Sequence, residues 1–199
     1  MNFKFIIFFL FIAISFFGCD DEDEQKGDAY FEQGKYEEAI KAYDEYLKLE
    51  PSHVKSLYNR GRAYEELGNT AKAREDYEKV LKIAPDNPNA SLSIGKLYYS
   101  DGDLENAAFF FEQAINADMT DPQGYILRGR ALHKLGKMDE AMEDYNAAIR
   151  LDAQAGEAYL YRGALKASLK KNKAACLDLE KAKSLGVEAA TEALAKYCK

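Results

Sequence analysis

Tryptophan is absent from the 199 residues, and histidine occurs only twice, at His53 and His133. That leaves few side chains for metal or acid–base chemistry. An excess of positive charge is also missing. Lysine and arginine number 27 against 34 aspartates and glutamates, a formal net charge of −7. Such a balance argues against a nucleic-acid footprint, which wants a basic face. No G-x-x-x-x-G-K-[ST], G-x-G-x-x-G or C-x-x-C pattern occurs, so no phosphate cradle or redox dithiol is signalled. Doubled carboxylates such as Glu37-Glu38 and Glu65-Glu66 read as solvated helix faces rather than acid–base pairs. No cofactor is expected. Finally, the one long apolar run, "FIIFFLFIAISFF" at 5–17, has only 13 residues. A membrane span needs ~20.

That run nevertheless has a reading. It follows a single positive charge in "MNFK" and ends in "FFGC" at 16–19, the layout of a secretory leader whose apolar region is short. The small residue followed by cysteine resembles the lipobox of bacterial lipoproteins, with Phe16 where that family usually has leucine. The resemblance implies cleavage after residue 18, acylation of Cys19 and attachment to the bacterial envelope, through the lipid and not a spanning helix. Residues 1–18 are then a signal peptide. The acidic run "DDEDE" makes 19–25 a solvated tether. The resemblance leaves its meaning open, because an aspartate after the cysteine marks inner-membrane retention in one sorting system and an acidic run marks surface export in another. With Cys19 acylated, the other two cysteines, Cys176 and Cys198, are a disulfide candidate in an oxidising compartment.

The rest of the chain is organised by a repeat. Glycine stands at 27, 61, 95, 129 and 163, each 34 residues after the last. Alanine follows twelve residues later at 39, 73, 107, 141 and 175. A large residue follows sixteen after each glycine: Tyr43, Tyr77, Phe111, Tyr145 and Leu179. Units of this length read as two helices, 54–67 and 70–83 in the second unit, broken at "GN". Glycine in a helix interior costs ~1 kcal/mol against alanine, so its recurrence marks a place where a neighbour must come close. The alanine on the partner helix is small for the same reason, and Tyr30, Tyr64 and Tyr98 fill the space beside the contact. The pattern resembles the tetratricopeptide repeat. It implies an all-α, right-handed superhelix of five helix-turn-helix units (20–53, 54–87, 88–121, 122–155 and 156–189), with the array over 26–187 and a capping helix at 188–199.

Departures from the pattern carry expectations of their own. Met119 and Ala153 stand where Pro51 and Pro85 close the first two units, and in the fifth unit Lys166 replaces a tyrosine and Lys170 the turn glycine. Asp23 and Lys26 occupy apolar positions of the first helix, which is therefore expected to be short or frayed. Cys176 lies ten residues before Gly186 and Cys198 twelve after it, so an antiparallel pair brings them level.

Arginine holds the seventh place of units two, four and five, as Arg60, Arg128 and Arg162. Sixteen residues on, the same units carry Asp76, Asp144 and Asp178, while the other two units lack both partners. The co-occurrence predicts an ion pair within each unit. On the opposite face of the first helices, which line the concave groove of such a solenoid, lie Lys55, Tyr58, Arg62, Lys96, Tyr99, Arg130, His133 and Lys134. A basic, aromatic-lined groove suits an extended peptide bearing carboxylates. The dicarboxylate clamp of chaperone-binding relatives is absent. Asn59 stands for its middle asparagine, but the flanking places hold Glu24, Asp28, Asn89 and Ser93. The chain is thus expected to be a lipid-anchored envelope scaffold that binds a partner protein or peptide. The alternatives are a self-assembling, homo-oligomeric module and, more remotely, a glycan-binding or enzymatic envelope protein.

Overall fold

A computed structural model describes residues 20–198. Cys19 and the leader lie outside that range. The described residues form eleven helices: α1 (Asp20–Glu32), α2 (Tyr36–Leu49), α3 (Val54–Glu66), α4 (Thr70–Ile83), α5 (Pro88–Asp101), α6 (Leu104–Ala117), α7 (Pro122–Lys134), α8 (Met138–Leu151), α9 (Gly156–Ser168), α10 (Asn172–Ser184) and α11 (Ala189–Tyr197). Each packs on its neighbours in sequence. Odd-numbered helices also touch across units, α1 with α3, α5 with α7 and α7 with α9, whereas the even-numbered ones are spread apart. The array is therefore a helical solenoid that curves with its odd helices on the inner face.

Local chemistry sets the helix starts. Asn69, Asn87, Asp103 and Asp121 each accept a backbone N–H from their own first turn, and Pro88 and Pro122 stand at positions where no amide hydrogen is needed. The turn within the fifth unit differs. Units one to four turn on a left-handed glycine, but the fifth places Lys170 there at φ 58°, a conformation that disfavours a side chain.

The recurring glycine and the large residue sixteen positions later explain each other. A Cβ on Gly61 would lie 2.7 Å from the ring of Tyr77, and one on Gly129 2.7 Å from the ring of Tyr145. The ring from the second helix thus lies against the first helix at a place where only a glycine leaves room. Tyr43, Tyr77, Phe111, Tyr145 and Leu179 are all fully buried, as are the five alanines Ala39, Ala73, Ala107, Ala141 and Ala175.

The first helix is not short and runs for 13 residues. The acidic run expected to form a free tether over 19–25 is instead helical from Asp20 onwards. Lys26 bridges Glu22 at 3.2 Å and Asp23 at 3.3 Å one turn away. Lys55 of α3 reaches back to Glu24 and Asp28, which pins the helix to the next unit. At the other end, Cys176 and Cys198 are disulfide-bonded with Cα atoms 5.7 Å apart. The bond fastens α11 over the open face of α9 and α10.

Candidate functional site

Two charged systems occupy opposite sides of the array. Between the helices, Arg60 donates from Nε and Nη2 to the two carboxylate oxygens of Asp76 at 2.8 and 2.7 Å. Arg128 does the same with Asp144 at 2.9 and 2.6 Å, and Arg162 with Asp178 at 2.8 and 2.7 Å. These are forked, charge-assisted bonds. The third nitrogen reaches the preceding unit, where Arg60 Nη1 meets Asp44 at 2.6 Å and Arg162 Nη1 meets Asn146 at 2.7 Å. Arg128 Nη1 lies 4.0 Å from Glu112. Each arginine therefore joins two units as well as the two helices of its own. The signal was in the sequence, sixteen residues before each arginine, where Asp44, Glu112 and Asn146 stand.

The carboxylates differ in their environment. Burial pushes Asp178 up, but bonds from Arg162 and from Lys166 at 2.6 Å outweigh it and hold the group below its ordinary range. At Asp144 burial exceeds the pull of Arg128, and the group lies above that range.

On the inner face, the basic residues expected to share one groove divide into two sets. In units one and two the chain pairs Lys55 with its own carboxylates, while Arg62 rests on a ring. Lys55 Nζ lies 2.9 Å from Glu24 and 2.7 Å from Asp28. Asp28 also accepts from Asn59 at 2.9 Å and from the Tyr43 hydroxyl at 2.7 Å. Burial pushes Asp28 up, yet these donors hold it below its ordinary value, and the side-chain bond to Asp28 leads in raising Lys55 to about 12. Arg62 lies over the Phe31 ring, 4.4 Å from its centroid. Tyr58 is half-buried against Tyr77, ring centroids 5.5 Å apart. One side of it packs on the core, and it also lines a cavity with Lys55, Asn87 and Asn89.

In units three to five the cations keep no carboxylate. The Arg130 guanidinium sits between two rings, 5.1 Å from the centroid of Tyr99 on α5 and 4.6 Å from that of Tyr161 on α9. Lys134 lies over the same Tyr99 ring at 4.2 Å. Lys96 is exposed. His133 is half-buried, and burial lowers its pKa. Beneath this cluster lies Tyr145, its ring stacked on Tyr161 at 6.2 Å. Tyr145 is fully buried and its hydroxyl has no hydrogen-bond partner among the described residues. Burial raises this phenol, and the charge of Arg130 opposes the rise. Tyr145 and Tyr161 were not among the groove residues read from sequence, because the first belongs to the outer helix and reaches the inner face beside Gly129.

Among the described residues no group of histidine, cysteine, aspartate or glutamate is arranged to hold a metal ion. No described helix is long and apolar enough to cross a membrane.

Comparison with known proteins places the architecture. Two family models described as tetratricopeptide repeat match residues 25–88 and 66–131, and a third, described as TPR repeat, matches 129–170. Among solved structures, MamA from Desulfovibrio magneticus RS-1 superposes with a TM-score of 0.76 at 23% identity, over 84% of this chain and 94% of that one. YrrB, described as a TPR protein with an unusual peptide-binding site, gives 0.70 at 21% identity over 86% and 89%. A tetratricopeptide repeat protein from Parabacteroides merdae ATCC 43184 gives 0.65 at 27% identity over 89% and 70%. Curated proteins gave no match.

Proposed function

The chain belongs to the tetratricopeptide repeat family through residues 25–170, and we propose on that basis that it is a scaffold of the bacterial envelope. It holds an extended segment of a partner protein along the inner face of the solenoid and carries out no chemistry of its own. The observation that carries this reading is the inner face of units three to five. There Arg130 and Lys134 present positive charge on tyrosine rings without a carboxylate of the chain to neutralise them. Rings and arginines of this kind are the usual anchors of protein interfaces. The peptide-binding site in the description of YrrB supports the same use of the fold.

The envelope setting rests on the leader and the cysteine at 19. The Cys176–Cys198 bond supports export, since such bonds persist in oxidising compartments. Acylation at Cys19 then places the array at a membrane surface, with α1 beginning directly after the anchor.

Crosslinking in intact cells followed by capture tests the binding role. The unaltered chain is expected to recover a partner that an Arg130→Glu/Lys134→Glu chain does not; equal recovery would refute the inner face as the docking surface. Labelling with a radioactive fatty acid tests the anchor, since Cys19→Ala is expected to abolish incorporation. A single-copy mass in light scattering would count against self-assembly as the main role.

A further inference from the structure

The geometry points to one carboxylate-binding point on the inner face, made by the Arg130 guanidinium and the Tyr145 hydroxyl between the rings of Tyr99 and Tyr161. An acidic peptide segment docks there through an aspartate, glutamate or terminal carboxylate. This rests on the inner face being a peptide-binding surface and says which half of it anchors the ligand and by what group.

The argument comes from comparing units of the same chain. In units one, two and four the residue sixteen after the glycine is a tyrosine whose ring passes beside that glycine. In the first unit its hydroxyl, Tyr43, donates to Asp28 at 2.7 Å. In the second, Tyr77 donates to Glu65 at 2.7 Å. Asp28 is one residue after its glycine and Glu65 four after its own. The same two places in the fourth unit hold Arg130 and His133. The chain thus supplies a carboxylate to two of its three tyrosines. At the third it has put cationic and neutral nitrogen groups in both places from which a carboxylate could come. What remains is a buried donor without an acceptor, next to an arginine without a counter-ion.

Both vacancies are filled by one ligand oxygen pair. A carboxylate accepts two parallel N–H bonds from the edge of a guanidinium. Tyr99 and Tyr161 both lie against the Arg130 guanidinium, 5.1 and 4.6 Å from their centroids, and neither ring competes for its N–H donors. The Tyr145 hydroxyl adds a third donor, as Tyr43 does for Asp28. Lys134, on the Tyr99 ring, adds attraction for further acidic residues of the same segment. Arg62, although basic, has no such role. The tyrosine of its own unit is already bonded to Glu65.

The test uses the full-length chain in detergent and fluorescence anisotropy with labelled hexaglutamate carrying a C-terminal amide. Hexaglutamine, with either a free terminus or an amide, separates side-chain from terminal carboxylates. Arg130→Gln and Tyr145→Phe are each expected to weaken the carboxylate-bearing probe by about tenfold or more, the size of a hydrogen bond to a charged group. Lys55→Gln and Arg62→Gln are expected to leave it unchanged. Thermal melts guard against misfolding: Tyr145→Phe is expected to melt no lower than the parent, because its hydroxyl bonds nothing, whereas Tyr43→Phe is expected to melt lower. Absence of binding to any carboxylate probe, or equal affinity in Tyr145→Phe and parent, would overturn the proposal. If Arg130→Gln leaves the probe's affinity unchanged while Arg130→Glu/Lys134→Glu still loses the cellular partner, the anchor fails and the wider groove reading survives.

Discussion

The two halves of the inner face are built from the same repeat and do opposite things with charge. In units one and two, Lys55, Asn59 and Tyr43 converge on Asp28, with Glu24 joining the lysine. In units three to five, Arg130 and Lys134 rest on tyrosine rings and Tyr145 has no acceptor. One half spends its polar groups on holding the first helix in place. The other leaves them without an acceptor from the chain. A solenoid whose contacts are mostly between neighbouring units can make this division, because each unit's inner face is tuned without disturbing the others.

Breaking the interlocks between units should have the largest effect. Arg60 is 15% exposed and Asp76 3%. Arg60→Ala leaves that carboxylate buried without its partner and is expected to cost about 3–5 kcal/mol in denaturant melts. A double-mutant cycle on Arg128 and Asp144 should show coupling; additive losses would mean that the forked bonds do not act as a pair. Next in size is Asp28→Ala, which removes the shared acceptor of three donors. We expect a loss of about 1–3 kcal/mol and earlier proteolysis within α1. Arg130→Gln at the equivalent place in unit four should change stability by less than about 0.5 kcal/mol. Comparable losses at the two sites would erase the contrast between the halves.

Acid should act on the same contrast. Asp28 and Asp178 both have carboxyls held below their ordinary value of 3.8 in the fold. Their stabilising contribution is therefore present above that value and fades as pH falls through the lower folded one. Asp144 runs the other way: its carboxyl is raised, so its contribution is present below 3.8 and declines as pH rises through the folded value. Melting temperature between neutral pH and pH ~3 should fall less in Asp28→Asn than in the parent. A gain rather than a loss is expected at Lys170, where a left-handed backbone carries a side chain. Lys170→Gly should stabilise by up to about 1 kcal/mol, the relief of that conformation less the entropy that glycine adds to the unfolded chain.

Much of this was legible before any coordinates. The 34-residue spacing locates both helices of each unit, and α3 and α4 fall within one residue of the spans read from it. The pairing of arginine with aspartate was legible because both partners lie in one unit and vary together. The acidic first helix was misjudged, because its stabilising partner, Lys55, comes from the next unit. Tyr58 was assigned to the groove by its place on α3 alone; its contact with Tyr77 of the outer helix depends on how the two helices pack.

The amino-acid sequence by itself determined the period, the number of units and the small-residue contacts, because a solenoid is specified by neighbours at fixed separations along the chain. It also placed the two cysteines level across the final turn. Only the tertiary structure decided which cations are free. A hydroxyl on an outer helix reaches the inner face beside a glycine, and whether it meets a carboxylate or an arginine depends on how three helices converge. That distance in space has no counterpart in a single spacing, and the difference between Tyr43 and Tyr145 lies there.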